Sequence, residues 1–391
     1  MQDRTKEMSL PKIAEAVIIG GGVMGASTAY HLATRGLKNV VLLEREMFFG
    51  QGATGRCAGG VRYQFATEIN IRLSLLSLPM LERFESETGQ AIDYRKIGYL
   101  FLLTQEEDLK IFRQNLTLQH RLGVMTEWLD GGEIRSLFPM MNLDDVIAGT
   151  NHAEDGTVDP NGVVMGYIKA ARHLGARCFS STAVEAIHIV KGKVNGVQTS
   201  EGEISTPIVV NAGGPWAGVI SNMAGVSIPL VPLRRQWLTT TPLTDLPLDF
   251  PFVIDFSRSL YFHPEGEGLL TGMSNPDEVP GFNQAIDRNW EITHMEAAIN
   301  RLPMLANAGV MSRIAGLYEN TPDAHPIYGS TPVEGFFVVT GFSGHGFMHG
   351  PISGLLMSEI ILDGEATTLD ISMLDLARFG EERMIHEYNV V

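Results

Sequence analysis

Residues 16–37 read AVIIGGGVMGASTAYHLATRGL: a short Val/Ile run, a glycine turn, then small and apolar residues at helical spacing. The order is strand, tight turn, helix. Gly20 permits the turn, Gly22 lets the backbone approach a pyrophosphate, and Gly25 lets the helix pack close to the strand; Val23 and Met24 fill the positions between. The helix N-terminus then faces two phosphates. A second apolar strand, Asn39 to Leu43, ends at Glu44, about 20 residues after the glycines, where a carboxylate accepts hydrogen bonds from ribose hydroxyls. Arg45 follows it. A glycine turn alone can be purely structural, but strand, turn, helix, strand and acid in this order form a βαβ dinucleotide fingerprint.

Outward from this motif, the 391 residues exceed what one core usually supports, so two domains are expected. Hydrophobic residues at 44% and charged residues at 19% describe an ordinary globular chain. The net charge of −16 argues against nucleic acid or anionic lipid as the main partner, since both need a concentrated basic face. The opening MQDRTKEMSLPKIAEAV is charged and lacks an apolar core, and no uncharged run reaches the length of a membrane span, so a cytoplasmic location is expected. Cys57 and Cys178 have no metal-ligand spacing; no metal is expected, and two reduced thiols are favoured over a disulfide.

NAD and FAD share the fingerprint, and the next segment separates them. ATGRCAGGVRY, residues 53–63, is a loop of small residues carrying Thr54, Gly55, Arg56, Gly59 and Arg62, where an NAD domain more often proceeds to another strand and helix. So few large side chains between apolar segments suggests close backbone approach to a ligand. Further on, HAEDGTVDPNGVVMGYIKAARHLGARC reads as a turn, a helix start and an amphipathic helix, followed by a hairpin from STAVEAIHIV and KVNGVQTSEGEI. PIVVNAGGPWAGVISNMAG supplies another buried strand ending in Ala212-Gly213-Gly214, with Trp216 opening a helix. Finally, TPDAHPIYG and GFSGHGF, residues 341–347, precede an apolar helix; its N-terminus, from Gly344 to Met348, favours negative charge nearby.

The loop at 53–63, the AGG strand and the TPDxxPIxG/GFSGHGF pair resemble the D-amino-acid-oxidase-like superfamily of FAD-dependent oxidoreductases, which includes sarcosine oxidases, glycine oxidase and the proline dehydrogenase β subunit. The resemblance implies an α/β fold. An FAD-binding Rossmann-like domain of the glutathione-reductase type would comprise 1–83, 151–228 and 313–391. An α+β substrate domain with a mainly antiparallel sheet would comprise 84–150 and 229–312. It also implies FAD contacts from Thr54, Gly55, Arg56 and Gly59, from Val184 at the adenine, from Ala212, Gly213, Gly214 and Trp216, and from Gly344, His345, Gly346, Phe347 and Met348. The helix N-terminus would stabilise the negative charge of reduced flavin. Tyr261 and Tyr318 match aromatic positions that face substrate in sarcosine oxidases, and His345 is oriented toward the flavin; His349 reads as structural.

This chain departs from sarcosine oxidases at three positions. Met348 stands where they hold a substrate-binding lysine, Gly316 where a cysteine bonds the flavin, and Leu270 near an oxygen-activating lysine. Non-covalent FAD is therefore expected, and either O2 or a partner protein could take the electrons. A substrate carboxylate calls for a bidentate arginine, with Arg62 and Arg313 as candidates and Arg235 as a third. The implied activity is oxidation of the C–N bond of a small amino acid such as sarcosine, proline or glycine, by hydride transfer to flavin N5 and hydrolysis of the imine. The competing readings are a β-type subunit of an amino-acid dehydrogenase complex, a flavoprotein with structural FAD, and an NAD-dependent dehydrogenase. Both a monomer and a subunit of a hetero-oligomer stay open.

Overall fold

A computed structural model of the chain describes residues 9–247 and 249–390; the first eight residues, which carry much of the charged opening stretch, lie outside them. The fingerprint strand Ala16–Ile19 sits inside a six-stranded sheet. Its neighbours are Val40–Leu43 and Val209–Asn211, with Arg177–Phe179 beyond the first and Phe336–Thr340, then Ile327–Ser330, beyond the second. All pairings are parallel except the last, which is antiparallel. The three inner strands are buried along their whole length, as expected for a parallel sheet covered on both faces.

Alternation along these strands sorts the core. Ala16, Ile18, Val40, Leu42 and Val210 face the helices Val23–Thr34, Pro160–His173 and Gly346–Asp363. Val17, Ile19, Val41, Leu43 and Val209 face a three-stranded meander, Val184–Val190, Lys193–Thr199 and Gly202–Ser205, and the helix Ala217–Met223. The expected hairpin thus gains a third strand. Asp159 caps the helix that starts at Pro160 by accepting a 2.9 Å bond from the Asn161 N–H, which accounts for the DPNG start.

A second sheet has eight strands in the order Val310–Asn320, Val231–Thr240, Gly268–Met273, Leu260–Glu265, Phe252–Asp255, Tyr99–Leu103, Ala148–His152, Glu127–Asp130. Only Phe252–Asp255 and Tyr99–Leu103 run parallel, so the sheet is mainly antiparallel. Leu100, Leu102, Val253, Leu260, Phe262 and Leu269 pack on the helix Arg288–Arg301, whereas Tyr99, Phe101, Phe252 and Ile254 form a separate aromatic cluster on the opposite face. The boundaries expected at 150/151 and 312/313 fall inside the strands Ala148–His152 and Val310–Asn320. Strand pairing, rather than composition, carries the chain across those points. Among the described residues no helix is long and apolar enough to cross a membrane.

Candidate active site

One cavity lies between the sheets, and its wall begins at the fingerprint. Gly20, Gly22, Val23 and Met24 line it, followed by Glu44 and Arg45. Gly20 has φ +112° and an added Cβ would stand 2.3 Å from the Ala212 carbonyl oxygen, so only glycine fits. Gly25 is not on the wall; its Cβ would stand 1.9 Å from the Gly20 carbonyl oxygen, and its absence lets the helix close onto the turn. The Val23 N–H donates to the Thr54 hydroxyl at 3.1 Å, and the helix carries no acid in its first turn. Its N-terminus is thus left open to an anion. The Glu44 carboxylate accepts from the Gly21 N–H at 2.7 Å and the Glu46 N–H at 2.9 Å, which pins the acid beside the glycine turn.

Thr54, Arg56 and Gly59 line the same wall, with Val184 and the run Ala212, Gly213, Gly214. Gly55 does not: its Cβ would meet the Gly50 carbonyl at 2.3 Å, so it serves the fold of the loop and not a ligand contact. Trp216 reaches the cavity mouth, under the Arg45 guanidinium at 3.9 Å and stacked on Phe282 at 5.5 Å. It ends a short 3-10 turn before the helix Ala217–Met223.

Beside Met24, Gly344, His345, Gly346, Phe347 and Met348 continue the wall. Gly344 has φ +99°, and a Cβ there would run into the Tyr318 ring at 2.4 Å, so the turn lies directly on that ring. His345 precedes the helix Gly346–Asp363, which also has no acid in its first turn. Gly350 and Gly354 let this helix sit against Val23 and Ser27 of the fingerprint helix, where an added Cβ would stand at 2.3 and 2.1 Å. The two helices therefore present their N-termini to the same cavity. Both ring nitrogens of His345 are buried without a partner among the described residues, and burial holds its pKa well below the ordinary histidine value. Two open helix N-termini, a glycine cradle and an orphaned imidazole fit a flavin dinucleotide. His349 instead meets the Ser74 hydroxyl at 3.0 Å and is not on the wall.

Beyond the His345 turn the cavity is walled by Tyr99, Phe252, Tyr261, Tyr318 and Trp237, with Arg62 and Arg235. Tyr261 and Tyr318 both line this end of the cavity, and burial raises both phenol pKa values. Arg62 is buried; it donates to the carbonyls of Gln64 and Asn389 and lies 4.0 Å over the Phe65 ring. Arg313 must be struck from the site. It lies off the wall, its Nε and Nη2 held by the Glu291 carboxylate at 2.7 and 2.9 Å. At Gly316 an added Cβ would stand 2.9 Å from the Arg56 Cβ, so this position holds backbone against Arg56; Leu270 is buried in the sheet away from the wall.

Sequence reading passed over Glu319, which also lines the cavity. Its carboxyl accepts from the Thr340 hydroxyl at 2.9 Å and the Phe342 N–H at 3.3 Å, and burial raises its pKa. The signal was available, since Glu319 follows Tyr318 in LYENTPD. In the same segment Asp323 forms a fully buried pair with Arg378, Nε to Oδ2 at 2.8 Å and Nη2 to Oδ1 at 3.1 Å, which fixes the TPD arm. Cys57 and Cys178 are free thiols, burial pushing them up to about 12 and about 11. Among the described residues no group of three or more His, Cys, Asp or Glu is placed to hold a metal.

Comparison with known proteins agrees with this geometry. The family model described as FAD dependent oxidoreductase, DAO, matches residues 15–360. Human mitochondrial sarcosine dehydrogenase is 33% identical over 96% of this chain, though the match covers 42% of that protein. The mitochondrial pyruvate dehydrogenase phosphatase regulatory subunit of Mus musculus is 30% identical over 95% of this chain and 44% of its own length. The chain therefore spans less than half of these curated relatives. The crystal structure of L-proline dehydrogenase from P. horikoshii superposes with a TM-score of 0.89 at 32% identity, covering 96% of this chain and all of the other.

Proposed function

The chain belongs to the DAO family of FAD dependent oxidoreductases, and from that membership we propose that it oxidises the C–N bond of a small N-substituted or primary amino acid. The observation that carries the reading is a cavity with two unlike ends: open helix N-termini around a glycine cradle, and an aromatic wall with arginines beyond the His345 turn. Bound FAD supplies the hydride acceptor. The chain's own residues position the substrate and exclude water. Tyr99, Phe252, Tyr261 and Tyr318 would enclose the carbon skeleton, and the N-terminus of Gly346–Asp363, on the same cavity, would favour negative charge on a bound flavin. His345, whose ring nitrogens have no partner among the described residues, is placed to hydrogen-bond a bound flavin, and burial disfavours its charged form. No residue is needed as a general base if the amine arrives neutral, and water hydrolyses the imine.

The FAD is held without a covalent bond in this reading, because Gly316 offers no thiol. Electrons then pass to a partner and not rapidly to O2, a choice supported by the names of the sarcosine and proline dehydrogenases above. The test is an anaerobic titration of the purified yellow protein with sarcosine, proline and glycine. Bleaching of the flavin with one of them, slow recovery in air and fast recovery with an artificial acceptor are expected. A flavin that no amino acid bleaches would instead favour a structural role, the reading that similarity to a phosphatase regulatory subunit supports.

A further inference from the structure

The loss of a lysine at Met348 leaves open how this cavity holds a carboxylate, and the arginines answer by elimination. Arg45 lies over Trp216 at the mouth and bonds Glu46. Arg56 spends Nε on the Gln51 carbonyl at 3.1 Å and Nη1 on the Ala315 carbonyl at 2.7 Å. Arg62 is tied to two carbonyls, and Arg313 is paired off the wall. Arg234, next in the chain, is drawn to Glu278 at 3.0 Å, to the Ala285 carbonyl at 2.6 Å and to Asp287 at 3.4 Å.

Arg235 differs from all of these. On the strand Val231–Thr240 its side chain points opposite to that of Arg234 and lines the cavity. Its register partner is Gly316, which offers no side chain to cover it. Among the described residues its side chain makes one hydrogen bond, from Nη1 to its neighbour's carbonyl, Arg234 O, at 3.0 Å. Its Nε is buried with no partner among the described residues, and no carboxylate among them lies within ion-pair distance. The guanidinium carbon stands 5.1 Å from the Tyr318 ring centre, on the aromatic wall. A half-buried guanidinium with an orphaned edge is costly unless an anion completes it. Its fork matches a carboxylate in two parallel bonds, which a methionine cannot offer and which Arg62 has fewer donors left to make.

We propose that Arg235 is the residue that binds the substrate carboxylate in this chain, and so sets its preference for amino acids over amines lacking that group. The inference rests on the functional reading above, but it is tested by binding alone. The holoprotein is titrated with propionate and with its neutral isostere propionamide, following the flavin spectrum. Wild type should bind propionate more tightly. Arg235→Met should weaken propionate about 30-fold, the size of a lost charge-assisted fork, and leave propionamide within about twofold. Arg235→Lys should lose roughly fivefold, keeping charge without the fork; it decides the matter if the Met variant sheds its flavin. Equal weakening of both ligands, no preference for propionate in wild type, or a selective loss in Arg62→Met with Arg235→Met unchanged would each overturn the proposal. Failure of every amino acid to bleach the flavin would overturn the oxidation reading, whatever these titrations give.

Discussion

The two ends of the cavity are built from different materials. The dinucleotide end is made of backbone: glycines whose Cβ atoms would collide, helix N-termini, and an acid pinned to a turn by N–H groups. The far end is made of side chains from strands that are distant in sequence, Tyr99, Phe252, Tyr261 and Tyr318, with Arg235 among them. A backbone site tolerates almost no change at its few fixed positions, because the atoms that would clash cannot move aside. A side-chain site can be retuned one residue at a time while the fold stays, which suits the end that selects a substrate.

The contrast breaks or holds under mutation, beginning with its strongest case. Gly25→Val should abolish flavin binding and lower stability by more than about 3 kcal/mol, since the new side chain would enter the Gly20 carbonyl; flavin absorbance and thermal midpoint report both. Arg378→Met should cost about 3–5 kcal/mol by leaving Asp323 buried and unpaired, and should loosen FAD before it alters propionate selectivity. Retained FAD with a collapsed far end would reverse the comparison. The roughly 30-fold effect at Arg235 comes next.

A smaller effect should come from Glu319, which borders both ends. Its folded pKa is raised by burial, so the folded protein holds that proton more tightly than the unfolded chain. The associated stability is therefore present at low pH and lost as pH climbs from the ordinary carboxyl range through the raised folded value. Thermal midpoints of Glu319→Gln should fall less steeply over that window than those of wild type; parallel curves would contradict the assignment. Least of all should come from Arg313→Met, which removes a half-exposed pair with Glu291. Substrate affinity should stay within about twofold and stability within about 1 kcal/mol.

The same division of materials governs what the sequence could disclose. GGGVMG and GFSGHGF were legible because backbone requirements confine glycine to set positions at fixed spacing, and the structure brings both motifs to one wall. The sequence reading set Arg313 ahead of Arg235, with no feature of the sequence to weigh one against the other. Both lie on strands of the eight-stranded sheet, and what separates them is Glu291, on a helix whose seat depends on the whole sheet. The packing role of Gly25 follows from its place in the motif, whereas Gly55, read as a ligand contact, acts through packing that only the neighbouring Gly50 carbonyl reveals. Two of the four internal domain boundaries, 150/151 and 312/313, were drawn where the nucleotide pattern stops and starts, and strands Ala148–His152 and Val310–Asn320 continue across them.

The close seat of Gly346–Asp363 on Val23–Thr34 has a kinetic side. The Ser27 hydroxyl reaches the Pro351 carbonyl at 3.1 Å across 324 residues of chain, so this face of the nucleotide half cannot close until that intervening stretch has left the ribosome. Contacts of such long range form slowly and leave apolar helix faces exposed in the interval. The fingerprint helix is made long before the helix that covers it, and a chaperone or early flavin capture would have most to offer in that wait.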